Sequence, residues 1–192
     1  MELHMTKITL PLVLFVATLA YVPSALASNA SAGLSNATID GDSLNGFSFS
    51  GQLNLSEQLT LDISTKQWDA TPLGMPITLG TNSVGVGYEF PTSDLFSINF
   101  GLGRLTTTAS ATVGQFKTSI SRSTTYYKAG VSADISEKTS VSVGLVDATS
   151  ADYQMDTLFS VSRRMSDDVG LMLSASNSSD TNSYELSLTY EF

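Results

Sequence analysis

The chain closes with the sequence Ser183-Tyr184-Glu185-Leu186-Ser187-Leu188-Thr189-Tyr190-Glu191-Phe192. Side chains of a β-strand alternate between two faces, so this stretch has one apolar and one polar face. The apolar face ends in aromatic rings and comprises Tyr184, Leu186, Leu188, Tyr190 and Phe192. An apolar strand at a free end invites aggregation in water, so the pattern is untypical of a soluble protein.

These ten residues resemble the closing strand of Gram-negative outer-membrane β-barrels. In that class, a terminal Phe preceded by alternating apolar positions is recognised by the assembly machinery. The resemblance implies that the five apolar residues from Tyr184 to Phe192 form an assembly signal. It also implies a location in the cell outer membrane, with the assembly machinery, membrane lipid and lipopolysaccharide as partners.

The opening residues predict a secretory signal peptide. Lys7 precedes an apolar run over residues 8–20, and Ala25-Leu26-Ala27 supplies small residues for cleavage. The run is short and Pro-flanked, whereas a membrane-spanning helix needs ~20 apolar residues. We therefore expect a signal peptide over residues 1–27 and one barrel domain over residues 28–192.

Composition excludes several classes of function. The net charge of −9 argues against nucleic acid as a partner, and the loss of Lys7 and Glu2 with the signal peptide would leave it unchanged. Cysteine is absent and the only histidine is His4, so Ser–His and Asp–His hydrolytic sites cannot be built in residues 28–192. The loop acids lack the spacing of a calcium loop. We therefore expect no enzyme activity, no cofactor and no metal.

The alternation of apolar and polar residues recurs along the chain and defines nine clear strands after Leu44. A weaker pattern in Ser28–Asp42 supplies a tenth, and an even number brings both chain ends to one side of a membrane. Tight turns near Ser56, Pro91, Ser136 and Ser166 alternate with longer polar stretches. We interpret the longest of these, residues 105–122, as a loop. The predicted fold is all-β: a closed antiparallel transmembrane β-barrel of ten strands, with eight as the alternative.

In such a barrel the apolar face meets lipid and the polar face lines the lumen. Aromatic residues near strand ends, Trp68 and Tyr126 among them, predict an aromatic girdle at each membrane interface. Glycines in several strands lie on the lumen side and either clear a passage or relieve crowding. The charged candidates for the lumen are Asp62, Lys66, Glu89, Lys128, Asp134, Arg164, Glu185 and Glu191.

Three functions fit this pattern. The first is a non-catalytic porin-like or structural barrel with a narrow polar lumen, whose charges either line a pore for small solutes or ions or pair to fill the interior. The second is a surface interaction or adhesion protein that acts through extracellular loops, with residues 106–118 as the best candidate. The third is a soluble, lipocalin-like periplasmic carrier with its apolar face turned inward.

Overall fold

The computed structural model describes residues 28–39, 41–71, 75–150, 153–179 and 181–192. The predicted signal peptide, residues 1–27, lies outside the described residues. Within the described ranges, no helix has the length and apolar character needed to cross a membrane.

Ten antiparallel strands form one closed sheet. Their bounds are β1 (Ser28–Ile39), β2 (Asp42–Asn54), β3 (Leu59–Ala70), β4 (Ile77–Pro91), β5 (Phe96–Val113), β6 (Phe116–Ser136), β7 (Thr139–Ala148), β8 (Asp156–Arg164), β9 (Val169–Asn177) and β10 (Thr181–Glu191). Each strand pairs with its neighbours in sequence, and β1 pairs with β10. The predicted ten-stranded barrel is confirmed. The eight-stranded alternative is wrong, because β1 and β2 are full strands of the wall.

The two chain ends meet where the barrel closes. The N–H of Ser28 donates to the carbonyl of Phe192 (3.1 Å), and the N–H of Phe192 donates to the carbonyl of Ser28 (2.9 Å). Following the register once around the wall shifts the starting position by about 12 residues along β1. Such a stagger tilts the strands by roughly 40° from the barrel axis.

The end of the barrel that carries the termini also carries connections 55–58, 92–95, 137–138 and 165–168, and we refer to it as the tight-turn end. In three of these turns a serine hydroxyl accepts the backbone N–H three residues later, which fixes the turn. The distances are 3.1 Å from Leu59 N to Ser56 Oγ, 3.1 Å from Phe96 N to Ser93 Oγ and 3.2 Å from Val169 N to Ser166 Oγ. We refer to the opposite end as the loop end.

Toward the tight-turn end, the wall turns its apolar side chains outward. Leu171 and Leu186 pack on no core and remain 37% and 50% exposed. The soluble carrier with an inward apolar face is therefore wrong. Inward positions hold small polar residues, such as the buried Ser31, Ser48 and Ser187.

Toward the loop end the alternation changes phase. In β2, Phe49 faces outward but Leu44 faces inward, and in β3, Ile63 faces outward but Trp68 faces inward. The predicted aromatic girdle is wrong at two positions, because Trp68 and Tyr126 both point into the lumen. Beyond the apolar belt the outer face no longer meets lipid, so apolar side chains are no longer required there.

The predicted loop over residues 105–122 is also wrong. β5 and β6 stay paired up to Val113 and Phe116, and Gly114, with a φ of 61°, turns the chain. Hydroxyl pairs tie the two strands across the hairpin, which suits the high strand propensity of threonine. These pairs are Thr106–Ser123 at 2.8 Å, Thr108–Ser121 at 3.0 Å and Ser110–Ser119 at 3.1 Å.

The lumen as candidate functional site

An ion pair crosses the lumen in its middle. Nζ of Lys128 on β6 lies 2.5 Å from Oδ2 of Asp62 on β3, so the lysine reaches over β5 and β4. The two strands in between offer Gly101 and Gly87 beneath the lysine. A Cβ atom on Gly101 would lie 2.4 Å from Cε of Lys128, so a larger residue there would displace the lysine chain. These glycines therefore relieve crowding and do not clear a passage.

A second ion pair crosses the lumen on the other side of β3. Nζ of Lys66 lies 2.7 Å from Oε2 of Glu185 on β10, and this lysine reaches over β2 and β1. The intervening inward residues are again small, with Ser48 beside Lys66 and Gly33 beside Ser48 in the register. Glu185 is 7% exposed, which makes it the most buried carboxylate in the described part of the chain.

Four polar atoms around this second pair have no hydrogen-bond partner among the described protein groups. They are the hydroxyls of Ser35, Ser48 and Ser187 and Nε1 of Trp68. The register places Ser35 beside Glu185, Ser48 beside Lys66 and Trp68 beside Gly46. Buried polar groups are normally satisfied, so we expect ordered water in this layer.

Large and apolar side chains fill the lumen toward the loop end. Tyr126 is buried and lies over two strand glycines, so that a Cβ on Gly103 would come within 2.7 Å of its ring. The inward residues Ala37, Leu44 and Ala148 are also buried. This part of the interior resembles a protein core more than an aqueous channel.

The remaining charged candidates lie near the tight-turn end. Arg164 and Glu191 approach to 3.8 Å, with both side chains about half exposed. They line a cavity of about 400 Å³ together with Asp134, while Glu89 lines a cavity of about 350 Å³ that also contacts the Lys128–Asp62 pair. The structure therefore brings six of the eight candidates into three pairs at different heights.

Between the ends of the strands, the lumen wall made by β7, β8 and β9 carries serine pairs. The pairs are Ser140–Ser162 at 2.6 Å, Ser142–Ser160 at 2.7 Å and, at the join to β10, Ser176–Ser183 at 2.7 Å. Each hydroxyl is thus satisfied by its neighbour. No group of three His, Cys, Asp or Glu side chains that could hold a metal ion occurs in the described ranges.

Two lumen residues, Trp68 and Tyr126, were missed by sequence reasoning. The signal that finds them is parity: Trp68 shares a face with Lys66, and Tyr126 shares a face with Lys128. Their aromatic character suggested the membrane interface, but a strand cannot turn two positions of one parity to opposite sides without a bulge.

The connection between β7 and β8 carries a perturbed tyrosine outside the membrane-spanning strands. Burial raises the pKa of Tyr153, and its hydroxyl donates to Oδ2 of Asp156 at 2.6 Å, which raises the pKa further. The neutral phenol is thus favoured, and its hydrogen bond ties Tyr153 to Asp156 at the start of β8.

The closing strand presents its aromatic face to the outside. Tyr184, Leu186, Leu188 and Tyr190 are all exposed, and the rings of Tyr190 and Phe192 stack with centroids 6.2 Å apart. The polar face of the same strand points inward, where Glu185 and Ser187 are buried.

Comparison with known proteins agrees with this architecture. A family model described as "Outer membrane protein beta-barrel domain" matches residues 8–192. The chain belongs to this outer-membrane β-barrel family. The protein is accordingly an integral protein of the cell outer membrane, where its outward apolar belt contacts lipid and its rim lies among lipopolysaccharide.

Solved structures share the fold at low sequence identity. The KdgM porin has a TM-score of 0.50 and 12% identity, over 84% of this chain and 99% of that one. An outer membrane channel from Pseudomonas putida F1 has a TM-score of 0.50 and 7% identity, over 89% of this chain and 97% of that one. No sufficiently similar sequence was found among curated proteins. At such identities the likeness is one of fold.

Proposed function

We propose that the protein is a non-catalytic structural barrel whose lumen is closed at rest. The observation that carries this proposal is the pair of ion bridges, Lys128–Asp62 and Lys66–Glu185, which meet at β3 and cross the lumen in both directions. Tyr126, Trp68 and Leu44 fill the space between these bridges and the loop end. The cavities at the tight-turn end then serve as water-filled vestibules without an exit.

The two ion pairs oppose opening of the lumen. Separating Lys66 from Glu185 would leave the buried carboxylate of Glu185 without its cation, which is costly. A solute would also have to displace the aromatic side chains above. Passive diffusion through the resting barrel is therefore unfavourable, although the interior is polar.

Planar-bilayer recording tests the proposal. The wild-type protein is expected to show no conductance steps between −150 and +150 mV, a range of about ±3.5 kcal/mol per elementary charge. A variant with Lys66, Trp68, Tyr126 and Lys128 all changed to Ser is expected to show discrete steps, because both bridges and the aromatic fill are removed. Heat-dependent migration on gels verifies that each protein is folded before recording.

Arg104→Ser with Lys117→Ser provides the matched control, since it removes two positive charges from the outer face of the wall. This control is expected to stay silent. Regular steps from the folded wild-type protein would refute the closed lumen and favour a porin-like function for small solutes or ions.

We also propose that the apolar face of the closing strand directs barrel assembly after residues 1–27 are removed by signal peptidase. The exposure of Tyr184, Leu188 and Tyr190 on the outer wall supports this, because the face is accessible to a partner until lipid covers it. Deleting Phe192 should lower the amount of heat-modifiable protein in the outer membrane several-fold. An unchanged amount would contradict the proposed signal.

A second candidate function is surface contact through the β5–β6 hairpin. By the rule that bacterial barrels have short periplasmic turns, the tight-turn end is periplasmic and the hairpin is extracellular. From Arg104 to Val113, roughly 30 Å of strand continues beyond the outward apolar belt. Replacing residues 106–123 by Asn-Gly, between the paired Leu105 and Thr124, should abolish adhesion of protein-bearing cells to protein-coated surfaces but not barrel formation.

A further inference from the structure

The projecting part of β6 has an open edge. β6 pairs with β5 along its whole length, but its pairing with β7 begins only at Tyr126, opposite Ala148. On the side of β6 that faces away from β5, Thr149 bonds to the carbonyl of Thr125 and to the hydroxyl of Thr124, and no described backbone group bonds to the backbone of residues 117, 119, 121 and 123. Every side chain from Phe116 to Ser123 is exposed. An unpaired edge of this length is a template for another strand.

The register identifies which backbone groups lie on this edge. The carbonyl of Thr125 accepts the N–H of Thr149, so residue 125 directs its backbone groups away from β5. Backbone direction alternates along a strand. The N–H and C=O groups of Lys117, Ser119, Ser121 and Ser123 therefore point outward from the open edge.

Charge indicates what could occupy the edge. The chain has a net charge of −9, yet no Asp or Glu occurs between Asp94 and Asp134. The projecting hairpin carries Arg104, Lys117 and Arg122 within this acid-free segment. Two copies of the chain joined edge to edge would bring like charges together, whereas an acidic strand would be attracted.

The side chains add a second requirement. Phe116 and Ile120 are 84% and 65% exposed and share the inner face of the hairpin with Arg122, while Lys117 lies on the outer face. A strand added to the edge would place its alternate residues beside these two faces. Apolar residues would cover Phe116 and Ile120, and acidic residues would lie near Lys117.

We propose that residues 116–124 bind an extended acidic segment of another protein by strand addition, with the segment alternating acidic and apolar residues. This inference rests on the proposed extracellular position of the hairpin and its role in surface contact. Backbone hydrogen bonds to residues 117, 119, 121 and 123 supply the affinity, and the two faces of the hairpin select the sequence.

The test uses the folded full-length barrel in lipid nanodiscs and a fluorescent nine-residue peptide that alternates Val and Glu. Wild-type protein is expected to raise the anisotropy of this peptide in a saturable way. Ser121→Pro should weaken binding at least tenfold, because proline removes one edge N–H without touching the bonds to β5. Ser121→Ala is the matched control, since both variants lose the hydroxyl bonded to Thr108 but only proline loses the N–H.

Charge selection has its own controls. The same peptide with Lys in place of Glu should bind at least tenfold more weakly, and Lys117→Glu should weaken binding of the Glu peptide more than Arg104→Glu, which lies on the neighbouring strand. Equal binding by Ser121→Pro and wild type, or by the two peptides, would overturn the proposal. Concentration-dependent dimers of wild type that Ser121→Pro abolishes would overturn it in favour of a second copy.

The cell adhesion assay separates surface contact through the hairpin from strand addition at its edge. Adhesion lost on deletion of residues 106–123 but kept by Ser121→Pro would preserve surface contact and refute strand addition. Adhesion unchanged by either alteration would refute both.

Discussion

The two halves of strand β6 place their apolar residues on opposite faces. In the half that spans the membrane, Val131 and Ile135 face outward and are exposed to lipid, while Lys128 faces inward to an ion pair. In the projecting half, Ile120 and Phe116 lie on the inner face and Lys117 on the outer face. One strand, paired to β5 throughout, thus reverses the face on which its apolar residues lie.

The reversal shows that the surrounding medium, lipid or water, decides which face of a strand is apolar. Lipid demands apolar side chains on the outside of the spanning wall, because polar groups there would lose water without gaining partners. Above the lipid this demand ends. The same reversal occurs in β2 at Leu44 and in β3 at Trp68, so it marks the rim at the loop end around this side of the barrel.

A charge placed in each half of β6 gives the strongest test of this contrast. Val131→Arg puts a guanidinium in the lipid belt and should cost about 2–4 kcal/mol of folding free energy. Ile120→Arg, at a position of similar exposure in the same strand, should cost less than about 0.5 kcal/mol, because it stays in water. Urea titration of folding into lipid vesicles measures both. Equal losses would contradict the contrast between the two halves of β6.

Glycine substitutions compare the packing of the lumen at Gly103 with that of the upper part of β4 at Gly80. A Cβ on Gly103 would lie 2.4 Å from the backbone oxygen of Val84, so Gly103→Ala must shift the wall and should cost about 1–3 kcal/mol. The nearest atom to a Cβ on Gly80, in the upper part of β4, is 3.7 Å away. Gly80→Ala should therefore leave the unfolding midpoint within about 0.5 kcal/mol of wild type. A larger loss for Gly80→Ala than for Gly103→Ala would contradict the crowded lumen.

Hydroxyl pairs provide the smallest contrast. Ser142→Ala leaves the part-buried hydroxyl of Ser160 without its partner at 2.7 Å and should cost about 0.5–1.5 kcal/mol. Ser121→Ala breaks an exposed pair whose partner, Thr108, can bond to water instead, and should cost no more than about 0.3 kcal/mol. The same urea titration resolves the difference. Indistinguishable midpoints would indicate that the wall near Ser142 is as wet as the hairpin.

The strands that span the membrane were predictable because contact with lipid requires an apolar outer face along their whole length. Alternation from Leu171 to Ala175 or from Leu186 to Tyr190 has a single phase, so the number of strands and the outward face could be read from the residues. The weak first strand was recovered only by the requirement for an even number, since Ala32 and Leu34 give little contrast. The prediction for residues 105–122 was wrong because threonine and serine give no difference in polarity between the two faces of a strand.

The lumen was predictable as a set of charges but not as pairs. Nothing in the sequence links Lys128 to Asp62 or Lys66 to Glu185, since their partners lie 66 and 119 positions away and three strands around the wall. Aromatic character misdirected the interpretation of Trp68 and Tyr126, although parity alone places both inside.

The sequence by itself determined that this chain forms a barrel with an apolar outside, because lipid imposes a period of two that any single strand displays. Closure of the sheet decided everything that depends on neighbours across the lumen: which charges meet, which glycines admit them and where the interior is filled. Those relations arise from stagger and curvature, which bring together positions far apart in the chain, and no local pattern of residues contains them.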